Sequence, residues 1–236
     1  MLAWMYRPRT RRAVAWIRWR LIDAELRSTV GIVRRSGVFD GAFYVQRYPD
    51  VVSAGEEPID HYAKFGIWED RDPSPLFSCG HYLDQVGHAT GMPAMLHFAM
   101  VGDAAGRSPN WLFDTTWYRA RYLRDERWCH TALFHYLAHH RKQRLWTHAL
   151  FDSSWFAERH AHQIPQPTSP LAFYLGAESA WRLTPNPLFD PEWYLRHYSI
   201  ASTEPLRHYI EHGDRMGLAP HPLLSGQRLS LLAEEN

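Results

Sequence analysis

Three groups of side chains in this sequence have types that could do chemistry. Asp70-Arg71-Asp72 has the Asp-x-Asp form that can hold Mg²⁺ or Mn²⁺ beside a nucleotide-sugar. Such a motif works at a strand end facing a nucleotide pocket, with few carboxylates on the ion. Here it sits in a loop just before Pro73, where a solvated turn is the simpler explanation. The 15 His are densest at His139-His140 and at His160 and His162. A zinc site needs three or four converging ligands with partners that orient them, and His61, His97, His135 and His208 instead recur about one repeat apart, too far to share an ion. Cys129 adjoins His130, but neighbours in sequence need not face each other as nucleophile and base. No Gly-x-Ser-x-Gly, Gly-rich phosphate loop or Gly-Gly-x-Gly-x-Asp calcium repeat occurs. No catalytic residue, metal or cofactor is therefore expected.

Aromatic and basic side chains offer binding instead. Trp4, Trp16 and Trp19 intermix with Arg7, Arg9, Arg11, Arg12, Arg18 and Arg20. On a short amphipathic helix this mixture suits an anionic membrane surface, rings in the interface and cations at headgroups. A cap helix packing on the body, or docking a partner, fits the same residues. Residues 1–36 hold nine Arg against Asp23 and Glu25, a local net of +7, which leaves −6 for the rest of a chain whose total is +1. So even a charge gives no reason to expect nucleic acid. Trp68, Trp146 and Trp181 fall in loops between repeats and are candidates for glycan or partner contact.

The elements that must position these residues come from an internal repeat. "VFDGAFYVQRY", "LFSCGHYLDQV", "LFDTTWYRARY", "LFDSSWFAERH" and "LFDPEWYLRHY" place a Phe at 39, 77, 113, 151 and 189, with spacings of 38, 36, 38 and 38 residues. An aromatic doublet follows each Phe, Trp193-Tyr194 in the last copy. Packing between helices is preferred for these doublets over a sugar platform. A second anchor, as in "PIDHYAKFG" and "PLRHYIEHG", puts His61, His97, His135, Phe173 and His208 at one place in the repeat. Those His are expected to be structural, bonding a helix cap in the next unit.

Each unit reads as two helices. Asp40, Asp114, Asp152 and Asp190 are placed as N-caps, with Ser78 in the second unit. Second helices start at Pro58, Pro170 and Pro205, and Pro49 discourages continuation of the first helix. Gly66, Gly102 and Gly213 sit where a helix end tolerates positive φ. A hairpin of this size buries its apolar face only by stacking. The expected fold is all-α: an α-solenoid-like array of five helical hairpins over residues 37–224. A basic amphipathic helix at 1–36 precedes it and a short tail at 225–236 follows. A compact helical bundle is the competing arrangement.

The units resemble a repeat, FD-x-x-WYL-x-x-YPDV … P-x-x-HY-x-x-x-G-x-x-E-x-R-x-P-x-PLFD, found beside bacterial glycosyltransferases of surface-polysaccharide synthesis. Similar copies occur in some large secreted calcium-binding proteins. The stretch "FDGAFYVQRYPDVVSAGEEPIDHYAKFGIWEDRDPSPLF" carries the resemblance best. Tyr-Pro-Asp survives only at Tyr48-Pro49-Asp50, and His140 and Glu178 replace the Gly of the third and fourth units. No transferase domain follows the units in this sequence, so the resemblance implies a polysaccharide-pathway context and not glycosyl transfer by this chain.

The function expected is a non-catalytic scaffold or accessory protein in surface-polysaccharide synthesis. It would contact a glycosyltransferase or another polysaccharide-assembly protein, and an anionic membrane surface, but no nucleic acid. The two Cys far apart suit a reducing compartment, and no run of 18 apolar residues is long enough to span a bilayer. The expected location is the cytoplasm or the inner-membrane face. The alternative is a carbohydrate-binding module using the loop tryptophans; an active glycosyltransferase remnant is a third reading and would need a nucleotide-sugar fold.

Overall fold

The computed structural model describes residues 29–87, 91–124, 130–201 and 204–224. Among these the regular structure is helical, and strand-like pairing is confined to isolated bridges at Ser74–Phe77 and His148–Phe151. The protein is all-α. None of these helices is long and apolar enough to cross a membrane. Residues 29–36 are helical and bury Val33 in the core. Trp4, Arg7, Arg9, Arg11, Arg12, Trp16, Arg18, Trp19 and Arg20, the tail at 225–236 and Cys129 lie outside the described residues.

Helix pairs follow at the expected places. The first unit holds α1 (Gly41–Arg47), a short α2 (Asp50–Ala54) and α3 (Pro58–His61). Pro49 ends α1 as expected, but the chain restarts at once as α2. Then come α4 (Cys79–Val86) with α5 (Ala94–His97), α6 (Thr115–Tyr122) with α7 (Ala132–His139), and α8 (Ser153–Arg159) with α9 (Pro170–Gly176). The fifth pair is α10 (Pro191–Tyr198) with α11 (Pro205–His208). The caps read from the sequence are made: Asp40 accepts the amides of Ala42 and Phe43, Asp114 that of Trp117, Asp152 those of Ser154 and Trp155, and Asp190 that of Trp193. Each carboxylate satisfies amides that a helix start leaves without partners.

Every unit carries its own three-ring core. Phe39, Tyr44 and Tyr62 have centroids 5.4 Å apart in all three pairings. Phe77, Tyr82 and Phe98 repeat this at 5.6, 5.3 and 5.7 Å, and Phe189, Tyr194 and Tyr209 at 5.4, 5.6 and 5.8 Å. The tilted and edge-on geometries are those aromatic rings prefer. Tyr194 thus packs inside its own hairpin rather than against the next one. Its neighbour Trp193 is half-buried and stacks on His197, 4.5 Å away and 15° from parallel. The aromatic doublet therefore splits, its second member in the core between the two helices of its own hairpin and its first half-buried against that core.

Polar side chains stitch one unit to the next. Residues three before each anchor, Ser36, Ser74, Asn110, His148, Asn186 and His221, each accept the amide two residues on. Asn110 also donates to the carbonyl of Leu76, and Asn186 to that of Leu150, one repeat earlier. The amide of Asp40 donates to Pro73 O, and that of Ser78 to Pro109 O. Asp70 accepts the amide of Ala94, and Asp103 that of Ala132, so these two carboxylates cap second helices of the following unit.

Units that are not adjacent also meet. Gly37 approaches Leu137 of the third unit, and Gly176 of the fourth approaches Pro75 at the end of the first. Trp111 lies 6.5 Å from Tyr174, and the Arg207 guanidinium stands 5.9 Å from the Trp111 ring. The array winds tightly enough to bring the first two units against the fourth and fifth. In an extended solenoid each unit touches only its neighbours.

Candidate functional site

The repeated histidines do not cap the next unit. The Tyr of each first helix is hydrogen-bonded to Nδ1 of the His in the same hairpin: Tyr44–His61 at 3.2 Å, Tyr82–His97 at 2.6 Å, Tyr118–His135 at 2.8 Å and Tyr194–His208 at 2.9 Å. In the fourth unit both partners change together, to Phe156 and Phe173, whose rings lie 6.4 Å apart. Burial pushes the Tyr82 hydroxyl up to about 12 and lowers the pKa of His208. In the last unit burial raises the Tyr194 hydroxyl as well, so there tyrosine keeps its proton and can donate it to the neutral imidazole of His208. Cutting a polar pair from a buried site costs little only when both partners go, which is the change the fourth unit has made.

The glycine of the second helix has a related cause. Gly66, Gly102 and Gly213 close π-helical turns (Tyr62–Gly66, Phe98–Gly102, Tyr209–Gly213) and are flanked by right-handed backbone. A Cβ on any of them would overlap the hydroxyl of Tyr44, Tyr82 or Tyr194. Close approach, not positive φ, excludes a side chain there. Positive φ falls four residues later, at Asp70, Gly106 and Gly217.

The other chemical candidates resolve into supports. Asp70 caps α5, Arg71 pairs with Asp50 at 2.8 Å and Glu69 at 2.6 Å, and Asp72 accepts the amide of Cys79. Burial pushes the Cys79 thiol up, so it is no ready nucleophile. His139 bonds the carbonyl of His135, and buried His160 bonds that of Thr184. Among the described residues no three His, Cys, Asp or Glu side chains converge as metal ligands.

The loop tryptophans are not brought together. Trp68 is 60% exposed near Phe65, itself 50% exposed, at the end of the first unit's second helix. Trp146 is half-buried, with the Arg121 guanidinium 5.7 Å from its ring. Trp181, on a 3₁₀ turn (Glu178–Arg182), lines a cleft of about 620 Å³ where the non-adjacent units meet. Phe43, Arg47, Asp72, Asn110, Trp111 and Arg207 share that cleft, as do Glu178 and Glu204. Two indoles thus stand in one cleft with two amides, Asn110 and Gln46, two guanidinium groups and three carboxylates. The arrangement can stack on the apolar face of a ring and bond hydroxyls around it. Trp111 and Asn110 escaped sequence reasoning. Aligning the units on their Phe would have found the polar residue of the turn, but nothing local says that the first and fifth units share a wall.

Compared with family models, curated proteins and solved structures, the chain matches none.

Proposed function

We propose that this chain is a non-catalytic helical-repeat scaffold, an accessory protein of bacterial surface-polysaccharide assembly. It acts by contact with a glycosyltransferase or another polysaccharide-assembly protein, with its basic first segment on an anionic membrane surface. The observation that supports this most is where the repeats leave apolar side chains uncovered. Phe65, Trp68, Met100 and Val101, on or just after the second helices of the first two units, are between 50 and 67% exposed, whereas the other phenylalanine, tyrosine and tryptophan rings among the described residues are buried or half-buried. Exposed aromatic and methionine side chains are what protein interfaces use. The test is capture of a purified surface-polysaccharide glycosyltransferase by the full chain and by Phe65→Ser/Trp68→Ser. Capture by the first and at least tenfold weaker capture by the second is expected; no capture, or equal capture, overturns the reading.

A second reading, carbohydrate binding, is favoured by the cleft that holds Trp111 and Trp181. Its two cations and three carboxylates leave it without the positive excess an acidic polymer would want, so a neutral oligosaccharide suits it. Neutral polysaccharide fragments should quench tryptophan fluorescence in the wild type and lose that effect in Trp181→Ala. Quenching that persists in the variant assigns the sugar elsewhere.

A further inference from the structure

The loop leaving each second helix carries acid in four of the units: Glu69, Asp70 and Asp72 in the first, Asp103 in the second, Glu178 in the fourth and Asp214 in the fifth. The third unit departs from this. From His140 to Trp146 it carries Arg141, Lys142 and Arg144 and no acid. These three cations line one wall of a cavity of about 390 Å³ between the third and fourth units. Ser154 and Thr168 stand among the opposing residues, and Ala157 and Ile164 add apolar surface.

We propose that this cavity binds a small molecule bearing a phosphate ester or diphosphate. The charge count points to it. Glu158 is the acid lining the cavity, so the wall carries a net of +2, which matches a phosphate ester dianion better than a single carboxylate. The cations are available. Arg144 pairs with Glu158 at 2.6 Å, but both side chains are well exposed, at 70 and 62%, so the pair is weak and readily exchanged. Arg141 uses one nitrogen, donating to the carbonyl of Pro167 at 2.6 Å, and keeps the rest of its fork. Lys142 makes no ion pair among the described residues. His140 stacks on Tyr136 at the base of the loop, and burial together with the Arg141 charge lowers its pKa. It stays neutral near pH 7 and offers a hydrogen bond rather than a charge. A phosphate against this wall would gain the short, charge-assisted bonds that guanidinium and ammonium groups make to its oxygens, while the apolar surface takes the body that carries it. The volume falls at the small end of the range for ligand sites.

Isothermal titration of the full chain with glucose 1-phosphate and with inorganic pyrophosphate tests this, with glucose as the uncharged control. Saturable binding of at least one phosphate probe, and none of glucose, is expected. Lys142→Gln and Arg144→Gln should each weaken it at least tenfold, whereas Arg182→Gln, in the corresponding loop of the fourth unit, should leave it unchanged. Glu158→Gln removes the opposing charge and should tighten binding several-fold, a gain that damage to the fold could not produce. Absence of heat with both probes overturns the proposal. So does binding indifferent to the Lys142, Arg144 and Glu158 substitutions, or attachment only to phosphatidic acid vesicles with no binding of the soluble phosphates.

Discussion

The hydroxyl of Tyr118 lies 2.8 Å from Nδ1 of His135, and both side chains are buried. Each residue comes from a different helix of one hairpin, so this bond ties the two helices together beside their shared aromatic core. Tyr118→Phe removes the hydroxyl from His135 Nδ1 in a buried site and should cost about 1–3 kcal/mol. Tyr118→Phe/His135→Phe copies the Phe156 and Phe173 of the fourth unit and should recover much of that loss. Urea unfolding of the two single variants and the double variant gives the coupling energy; simple additivity would show that the pair is not a unit.

Tyrosine hydroxyls elsewhere should behave in the opposite way. Tyr62 and Tyr174 occupy the second-helix core position, and their buried hydroxyls find no hydrogen-bond partner among the described residues. The second unit has Phe98 there. Removing a buried, unsatisfied polar atom relieves its desolvation cost, so Tyr62→Phe and Tyr174→Phe should be neutral or stabilising by up to about 1–2 kcal/mol in the same assay.

Two helical glycines should respond with opposite signs. Gly102→Ala drives a methyl into the Tyr82 hydroxyl within a packed turn, and overpacking of this kind costs about 1–3 kcal/mol. Gly80, inside α4, has nothing within 4 Å of an added Cβ. Gly80→Ala should stabilise by up to about 1 kcal/mol through helix propensity. Thermal unfolding midpoints should move down for the first and up for the second.

Acid should weaken the fold through His148. Its Nδ1 accepts the amide of Leu150 at 3.0 Å, and burial lowers its pKa to about 4, against a slight opposing pull from Asp114. The unfolded chain takes up the proton near pH 6.5 and the folded chain refuses it until about pH 4. Stability contributed by the neutral ring is therefore complete above pH 6.5 and declines as the pH falls towards 4. His148→Asn keeps the turn, because Asn110 and Asn186 make the same contact in two other units. Urea midpoints measured from pH 7.5 to 4.5 should fall less steeply in the variant than in the wild type.

Several features were readable along the chain because their causes are local. Asp40, Asp114, Asp152 and Asp190 cap the helices that follow within three residues. Pro58, Pro170 and Pro205 begin helices where a missing amide costs nothing. The apolar stripe of Tyr62, Ala63 and Gly66 turns inward as its spacing requires. Misplaced inferences concerned partners instead. Gly66 looks like a helix stop until the Tyr44 hydroxyl is found against it, 22 positions earlier in the chain. Trp193 has the larger ring of its doublet, yet the helix leaves it half-buried against the core and gives the interior to Tyr194.

The sequence by itself determined the helical class, the register of the units and the residues that begin each helix, since capping, proline placement and apolar periodicity act within a turn or two. Tertiary structure alone decided that Tyr and His act as a pair, and that the first units fold back on the fourth and fifth. It also decided that Trp111 and Trp181 share one cleft while Trp68 and Trp146 stand apart. Closure of the array depends on small rotations summed over several units and on contacts between residues up to about one hundred positions apart, as with Pro75 and Gly176. No short window of sequence contains both sides of such a contact.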